Sequence, residues 1–337
     1  MTGTILLSDP ALPGLAEALS PEAMTSRLAR LTPLLDGEES AVSGPWQVAE
    51  VEILKHTPGR RCAIGYTLDG PGVKRRLFGK LLSGERGPGI LETMGRIVAA
   101  IPRKVLLVPR PIGYLPDLRL LVTEYLDGIP LAPSLYEGTS EAPARRIAAV
   151  LATLHGCEAR LIRCWGAQDE LANTGDWLAR SPLNAPPSSG RAEGLLQMLS
   201  RRALLPPDIS ENPVHRDFYA EQVLDCGGQG ALLDLDDARL GDPALDIGNF
   251  LAHLKLRSLQ FAGLARGCER GRLVFLEDYE QRRAGAADME TLRQRVAFYE
   301  ATSLLRLAGV YSRRDRWADR LPKMLLDSCE AMLDADG

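Results

Sequence analysis

Alternating apolar and polar positions mark three successive strands in the first part of the chain. One alternating run begins at Val48, and two further runs follow at 62–68 and 76–82. Turn-forming residues separate the runs at 56–61 and 69–72. A period of two is typical of strands with one buried face, so the pattern predicts three antiparallel strands joined by short turns.

Helical spacing dominates the rest of the chain, where apolar residues recur every three or four positions. Two more strands are predicted at 105–108 and 120–123, and residues 1–45 carry short amphipathic helical patterns. The other predicted helices are 88–100, 142–154, 191–203, 246–260, 270–283, 288–310 and 315–335. Strands first and helices afterwards predict an α+β fold.

The most informative stretch runs from Val214 to Asp246. Two apolar runs flank the turn signal Gly227-Gly228, which predicts a β-hairpin. Asp217 and Gln222 precede the first strand and Asp234 ends the second, so a hairpin brings all three together. Two carboxylates held close repel each other unless a proton or a cation lies between them. Carboxylate and amide oxygens suit Mg²⁺ shared with substrate phosphates. The alternative is a polar hairpin whose aspartates only cap turns.

Composition excludes several classes of function. The chain has 337 residues, of which 45% are hydrophobic and 25% charged, and its net charge is −4. This balance gives no reason to expect a nucleic-acid or membrane partner. The first residues lack the features of a secretion signal, and six scattered cysteines form no C-x-x-C pair. We therefore expect a cytoplasmic protein with reduced thiols.

The stretch resembles the catalytic and metal loops of the aminoglycoside phosphotransferase/choline kinase-like family, within the protein-kinase-like superfamily. The family pattern is His-Gly-Asp-x-x-x-x-Asn, then an apolar pair with Asp, then Gly-Asp-Pro-x-x-Asp. The chain reads His215-Arg216-Asp217 with Gln222, then Leu232-Leu233-Asp234, then Gly241-Asp242-Pro243 with Asp246. The resemblance implies a bilobal protein-kinase-like fold, with a small antiparallel β-sheet N-lobe and a mostly helical C-lobe. The implied boundaries are an N-terminal helical extension at 1–45, an N-lobe at 46–128 and a C-lobe at 129–337.

The resemblance also implies a role for each polar residue of this stretch. Asp217 is the expected catalytic base, and Asp234 the main ligand of Mg²⁺. Gln222 replaces the usual Asn as a second metal ligand, with a longer side chain. Asp246 and His215 are expected to support the catalytic loop.

Residues of the predicted N-lobe match the nucleotide site of the family less strictly. Lys80 lies in an apolar strand, where a lysine is costly to bury without a partner, and it is expected to hold phosphates of ATP. Glu92 is the expected acidic partner of Lys80, with Glu85 as the alternative. The remaining expected nucleotide contacts are the turn at 57–61 with Arg60 and Arg61, and the backbone of Glu124 and Leu126.

The implied activity is transfer of the γ-phosphoryl group of ATP to a hydroxyl of a small-molecule acceptor. Residues 256–320 carry 13 arginines and 9 acidic residues, which favours a neutral or anionic acceptor over a polycationic aminoglycoside. A solvated basic surface explains the same count. The alternative function is a kinase-like module that binds nucleotide without turnover and acts as a regulator.

Overall fold

The chain folds into two compact units. The computed structural model describes residues 8–31, 46–70, 72–185, 189–203, 212–283 and 289–335. Unit 1 comprises residues 1–99 and 108–127, and unit 2 comprises residues 100–107 and 128–337. Of the predicted N-terminal extension, residues 1–7 and 32–45 lie outside the described part of the chain.

Unit 1 is built on an antiparallel sheet. In the described residues the sheet has five strands in the order β1-β2-β3-β5-β4. The elements of the unit are α1 Leu15–Ala18, α2 Pro21–Ala29, β1 Gln47–Thr57, β2 Arg61–Gly70, β3 Val73–Leu82, α3 Gly87–Ala100, β4 Pro111–Leu115 and β5 Leu120–Glu124. The three strands predicted from alternation are confirmed as β1, β2 and β3.

The N-terminal helices are part of the core of unit 1. Leu15, Met24 and Leu28 are fully buried in the same apolar cluster as Tyr66 of the sheet. The Tyr66 hydroxyl donates a hydrogen bond to the carbonyl of Ala18 at 2.9 Å. Burial of each of these leucine or methionine side chains contributes about 1.5–3 kcal/mol to the free energy of folding. The apolar faces of residues 8–31 therefore complete the core of this unit.

Unit 2 is mostly helical. Its elements are β6 Ile129–Pro130, α4 Ala132–Glu137, α5 Ala142–Gly156, β7 Cys164–Trp165, α6 Ala167–Ala179, α7 Ser189–Arg202, β8 Asn212–Val214, β9 Val223–Cys226, β10 Gln229–Leu232, β11 Arg239–Gly241, α8 Pro243–Gln260, α9 Ala265–Arg283, α10 Met289–Tyr311 and α11 Leu321–Ala335. Its strands form two small sheets in the described residues, β10-β9-β6 and β7-β11-β8. In the described part of the chain, no helix is both long enough and apolar enough to span a bilayer.

Close packing of α8 on α10 fixes the position of the site. A Cβ atom on Gly248 would lie 2.6 Å from the backbone nitrogen of Glu300 and 2.7 Å from the carbonyl carbon of Tyr299. Contacts that short are sterically forbidden, so glycine at this position permits the close approach of the two helices. Asp242 caps the start of α8, because its Oδ1 accepts the Ala244 N–H at 3.0 Å.

The segment before Pro109 differs from its prediction. A strand was predicted at 105–108, but only Leu107 pairs, through one parallel bridge to Ala231 of β10. The Leu107 N–H donates to the carbonyl of Gly230 at 3.1 Å, and its carbonyl accepts the Leu232 N–H at 2.9 Å. Residues 100–107 group with unit 2, whereas the range predicted for the N-lobe is 46–128.

Candidate active site

The hairpin of β9 and β10 brings Gln222 next to Asp234. Its turn residues Gly227 and Gly228 have φ angles of 64° and 93°, which glycine adopts without steric cost. Val223 pairs with Leu232 across the ladder. One position further, the Leu233 N–H donates to the carbonyl of Gln222 at 2.9 Å. The residues on either side of the hairpin base are thus held in register, and Asp234 follows directly.

The loop that carries Asp217 is held by the buried carboxylate of Asp246. Oδ2 of Asp246 accepts the His215 N–H at 2.6 Å, and Oδ1 accepts the Arg216 N–H at 2.7 Å. The His215 ring in turn contacts the carbonyl of Leu233 through Nε2 at 2.8 Å. Asp246 and His215 are both fully buried. Loop, hairpin and helix α8 are therefore joined by hydrogen bonds at the point where Asp217 begins its turn.

His155 completes the contacts of Asp246 from helix α5. Its Nε2 lies 3.0 Å from Oδ2 of Asp246, and its Nδ1 lies 2.7 Å from the hydroxyl of Tyr279. With Nε2 as donor, the carboxylate accepts three hydrogen bonds. A buried carboxylate with several donors is far more stable than an unpartnered one. His155 is thus a structural residue that links α5 to α8 and α9.

A stripe of polar residues on α8 follows the loop residue by residue. Three members beyond Asp246 lie at helical spacing along the same face, and each contacts the loop further along. Asn249 Nδ2 donates to the carbonyl of Phe218 at 3.0 Å. The His253 ring stacks on Tyr219 with centroids 4.7 Å apart and an interplanar angle of 14°. Arg257 binds the Glu221 carboxylate at 2.5 Å. Sequence reasoning identified only Asp246, although the i, i+3, i+4 spacing of polar residues in an apolar helix was readable.

The pKa of the Asp217 carboxyl is raised in the folded protein. Burial is the largest cause, and the nearby carboxylates of Asp234 and Asp237 raise the pKa further. The Arg306 guanidinium and His215 act in the opposite direction. A raised pKa strengthens a carboxylate as a proton acceptor, which suits a general base. The proximity of Asp234 is also the repulsion that a bound cation would remove.

Arg306, on α10, is a part of the site that sequence reasoning missed. Its Nη2 donates to Oδ1 of Asn249 at 2.6 Å, and its Nε lies 3.3 Å from Oε1 of Glu170. Glu170 also accepts a hydrogen bond from the indole of Trp165 at 3.0 Å. The guanidinium of Arg216 lies over that indole, 3.3 Å from the ring centroid. These contacts join four segments that are distant in sequence, so no local sequence pattern predicts them.

Asp234 has a left-handed backbone conformation. Its φ of 58° and ψ of 55° place it in the left-handed region, where aspartate is tolerated better than most residues. In the described part of the chain, no three His, Cys, Asp or Glu side chains cluster as a metal site. Carboxylate and amide oxygens, such as those of Asp234 and Gln222, are of the type that Mg²⁺ accepts as ligands beside water and substrate phosphate.

In unit 1, Lys80 is buried in β3, with 7% of its surface exposed. The two acids considered as its partner lie elsewhere. Glu92 is half-exposed and pairs with Arg96 at 2.9 Å, one helical turn along α3. Glu85 is 82% exposed and lies 3.6 Å from Arg119. The structure thus pairs Glu92 with Arg96, and a pairing of Glu92 with Lys80 stays a prediction.

The turn between β1 and β2 is occupied by an acid from the N-terminal segment. Oδ2 of Asp9 accepts the Gly59 N–H at 2.9 Å and lies 2.9 Å from Nε2 of His56. The Arg60 N–H donates to the carbonyl of Thr57 at 3.1 Å. Two N–H groups of the turn at 57–61, which is expected to contact nucleotide, therefore already have partners inside unit 1. The Arg60 side chain is exposed and that of Arg61 is half-buried.

The expected adenine contacts lie after β5. The Glu124 N–H donates to the carbonyl of Arg110 at 2.9 Å, so this group already has a hydrogen-bond partner within unit 1. Leu126 lies between Tyr125 and Asp127, and both of these neighbours contact Arg76. The Arg76 guanidinium is 3.8 Å from the Tyr125 ring centroid and donates to Asp127 at 2.9 Å.

Comparisons with known proteins place these features in a family. No curated protein sequence matches the chain. A choline/ethanolamine kinase family protein from Mesorhizobium loti is similar in structure, with 18% identity, a TM-score of 0.53, and coverage of 92% of this chain and 95% of that one. Choline kinase LicA from Streptococcus pneumoniae has 14% identity and a TM-score of 0.57, over 93% and 99% of the two chains.

A third similar structure is a thermostable mutant of aminoglycoside phosphotransferase APH(4)-Ia in complex with AMP-PNP and hygromycin B. It has 17% identity and a TM-score of 0.58, over 86% of this chain and 95% of that one. Together these structures confirm the predicted α+β, bilobal protein-kinase-like fold. The model of the phosphotransferase enzyme family matches residues 88–299, more than half of the chain. The chain therefore belongs to the phosphotransferase enzyme family, as its motifs predicted.

Proposed function

We propose that the protein transfers the γ-phosphoryl group of ATP to a hydroxyl group of a small molecule, with Asp217 as the catalytic base. One observation carries the proposal. The buried carboxylate of Asp246 holds the backbone of the Asp217 loop beside the hairpin base that presents Gln222 and Asp234. Phosphoryl transfer depends mainly on positioning and on electrostatic stabilisation, and this arrangement supplies both.

Asp217 accepts or orients the proton of the acceptor hydroxyl. Its side chain is half-buried, and the pKa of its carboxyl is raised chiefly by burial. A hydroxyl positioned against this carboxylate loses its proton to Asp217 as its oxygen bonds to the γ-phosphorus, while the bond from that phosphorus to the β,γ-bridging oxygen breaks and ADP leaves. A positioned base of this kind contributes about 10²–10⁴-fold to a rate.

Asp234 and Gln222 are the residues that hold Mg²⁺ when it is bound. A cation held by these two residues would supply positive charge that offsets the negative charge of the phosphates. Gln222 is buried, and the hairpin ladder fixes its backbone, so its longer side chain has a constrained reach. The carboxylates of Asp217 and Asp234 repel each other, and a bound cation would relieve this repulsion.

ATP is the proposed phosphoryl donor. Lys80, buried in the sheet of unit 1, is the proposed ligand of its phosphates, with Arg60 and Arg61 as further positive charges. The backbone of the segment from Glu124 to Leu126 is proposed to contact the base. The similar structure of aminoglycoside phosphotransferase APH(4)-Ia contains AMP-PNP, a non-hydrolysable analogue of ATP, and supports this choice.

The experiment compares two alanine variants with the parent chain. Asp217→Ala should bind MgATP as the parent does and lose turnover by at least ~10²-fold. Asp234→Ala should lose Mg²⁺-dependent nucleotide binding as well. Calorimetric titration with and without Mg²⁺ measures binding, and ADP release in the presence of acceptors measures turnover. Equal Mg²⁺-dependent affinity in parent and Asp234→Ala would refute the metal role.

The same experiment addresses the alternative of an inactive nucleotide-binding module. Two observations favour that alternative: Gln222 stands where the family has Asn, and Asp9 occupies the Gly59 N–H. Nucleotide binding by the parent without turnover of any acceptor in a broad panel would support the inactive module. Turnover that depends on Asp217 would exclude it.

A further inference from the structure

Glu170, on α6, contacts the first members of two series of side chains that end on the two neighbours of Asp217. Its carboxylate is buried, with 3% of the side chain exposed. Oε2 accepts the indole N–H of Trp165 at 3.0 Å, and Oε1 lies 3.3 Å from Nε of Arg306 on α10. One buried carboxylate thus contacts the first member of each series.

The first series ends on Arg216, which directly precedes Asp217. The Arg216 guanidinium lies over the Trp165 indole, 3.3 Å from the ring centroid. A cation in this position is attracted by the face of the ring. The hydrogen bond from the indole to Glu170 holds the ring, so the carboxylate also limits where the Arg216 side chain can lie.

The second series ends on Phe218, which directly follows Asp217. Arg306 Nη2 donates to Oδ1 of Asn249 at 2.6 Å, and Asn249 Nδ2 donates to the carbonyl of Phe218 at 3.0 Å. A side-chain amide has one oxygen that accepts and one NH₂ group that donates, so the bond from Arg306 determines which of them faces the loop. If the amide rotated, its oxygen would face the Phe218 carbonyl, acceptor against acceptor. Arg306 therefore orients the amide that holds the residue after Asp217.

The packing of α6 on α10 does not depend on this ion pair alone. Leu171 and Leu178 of α6 lie in the same apolar cluster as Leu305 of α10. Well-packed apolar residues often stabilise a fold as much as a buried ion pair of similar volume. Glu170 and Arg306 are nonetheless buried, with 3% and 11% of their side chains exposed. The distinguishing feature of the pair is that contacts from both members lead to the catalytic loop.

We propose that Glu170 and Arg306 are positioning residues for the catalytic base, because they hold the two residues that flank Asp217. They act through Trp165 and Asn249 and do not touch the substrate. Asp246 fixes the backbone where the loop begins, and the Glu170–Arg306 pair fixes the loop on both sides of the carboxylate that receives the proton. The inference rests on the proposed function, since it concerns the base of that transfer.

Two substitutions in the full chain break the proposed connection. Arg306→Met removes the donor to Asn249 and keeps an unbranched side chain of similar volume. Glu170→Gln keeps the size of the side chain and an oxygen for the Trp165 indole, but it removes the charge that faces Arg306. Should Arg306→Met fail to fold, Glu170→Gln decides the test alone.

A second buried ion pair of α10 supplies the matched control. Arg272, on α9, donates to both carboxylate oxygens of Glu300, on α10, at 2.5 and 2.7 Å. The Glu300 side chain is 4% exposed, about as buried as that of Glu170. Arg272→Met therefore breaks a comparable pair that joins α10 to α9. A role in stability alone predicts the same behaviour for this variant as for Arg306→Met.

The first measurement is amide hydrogen exchange in residues 214–222, without nucleotide. Each protein is compared with the parent at the same interval below its own melting temperature. Exchange in this segment is expected to be about tenfold faster in Arg306→Met and Glu170→Gln, because contacts that hold the loop are lost, and unchanged in Arg272→Met. In turnover assays, kcat should fall by up to about 10²-fold in the first two variants only, with the KM for MgATP unchanged.

Three results would overturn the inference. Exchange at the parent's rate in both Arg306→Met and Glu170→Gln is the first, and equally fast exchange in Arg272→Met is the second. The third is a parent-like kcat in both variants. Because the exchange measurement uses no ATP, the two proposals fail separately. The expected exchange pattern in a chain that phosphorylates no acceptor would refute the transfer and keep the anchoring of the loop. Turnover by the parent with either of the first two results would do the reverse.

Discussion

Replacing Asp246 by Asn should loosen the catalytic loop and lower the stability of unit 2. The carboxylate is fully buried and accepts the N–H groups of His215 and Arg216 at 2.6 and 2.7 Å, with His155 at 3.0 Å. An amide keeps one acceptor oxygen, which can stay with His215 and His155. Its NH₂ group then faces the N–H of Arg216, donor against donor.

The magnitude follows from these contacts. A hydrogen bond to a charged group contributes about 1.5–3 kcal/mol, and one is lost while two become weaker. The expected loss is roughly 3 kcal/mol of unfolding free energy. For a unit of this size, which spans 100–107 and 128–337, that corresponds to a melting temperature lower by about 6–12 °C. Displacing Asp217 by about 1 Å should also cost about 10²-fold in kcat.

Thermal unfolding followed by circular dichroism, together with an ADP-release assay, measures both effects. Lys255→Gln is the control, because this residue is exposed on the same helix, and its melting temperature should stay within about 1–2 °C of the parent. Asp246→Asn with the melting temperature and turnover of the parent would refute the view that this carboxylate organises the loop.

Three further predictions concern Asp217, Asp9 and Arg216. Asp217→Asn should abolish turnover and raise the melting temperature at pH 7. The pKa of the Asp217 carboxyl is raised in the folded protein, so its charged form lowers the stability at every pH above that pKa. A melting temperature at or below that of the parent would contradict the stability prediction. Asp9→Asn should weaken the carboxylate's hold on the Gly59 N–H and tighten MgATP binding several-fold, by up to about tenfold, in calorimetric titrations; weaker binding would show that Asp9 supports the nucleotide turn instead. Arg216→Gly should change the urea unfolding free energy by no more than about 1 kcal/mol, because relief of the positive φ of 71° offsets the lost contact with Trp165.

The hairpin and its polar ends were predictable because the signals are local. The Gly227-Gly228 turn with apolar runs on both sides defines β9 and β10, and the register then fixes which residues meet at the base. Asp217 and Asp234 were therefore placed from spacing alone. The roles of these residues as base and metal ligand stay predictions.

The contacts that complete the site are not local. Arg306 reaches Asn249 and Glu170 only because α10 packs against α8 and α6, and neither sequence spacing nor composition encodes that packing. The predicted pairing of Glu92 with Lys80 depends on packing in the same way. A helix pattern shows which acids are present but not which face of α3 turns towards the sheet, and the structure places Glu92 on Arg96.

Segment boundaries were the least predictable feature. The apolar run at 105–108 reads as a strand, yet one residue of it bridges to β10, and its first three residues group with unit 2. The strand that does form before β5 is β4, which begins at Pro111. Proline is compatible with the edge of a sheet, and β4 is an edge strand.

The most direct test of the central claim is MgATP consumption by the parent chain and Asp217→Asn against a panel of sugars, sugar phosphates, amino alcohols and aminoglycosides. The account predicts acceptor-dependent ADP release, with a phosphorylated product detected by mass spectrometry, and its loss in Asp217→Asn. A phosphorylated product formed at the same rate by both proteins would contradict the account.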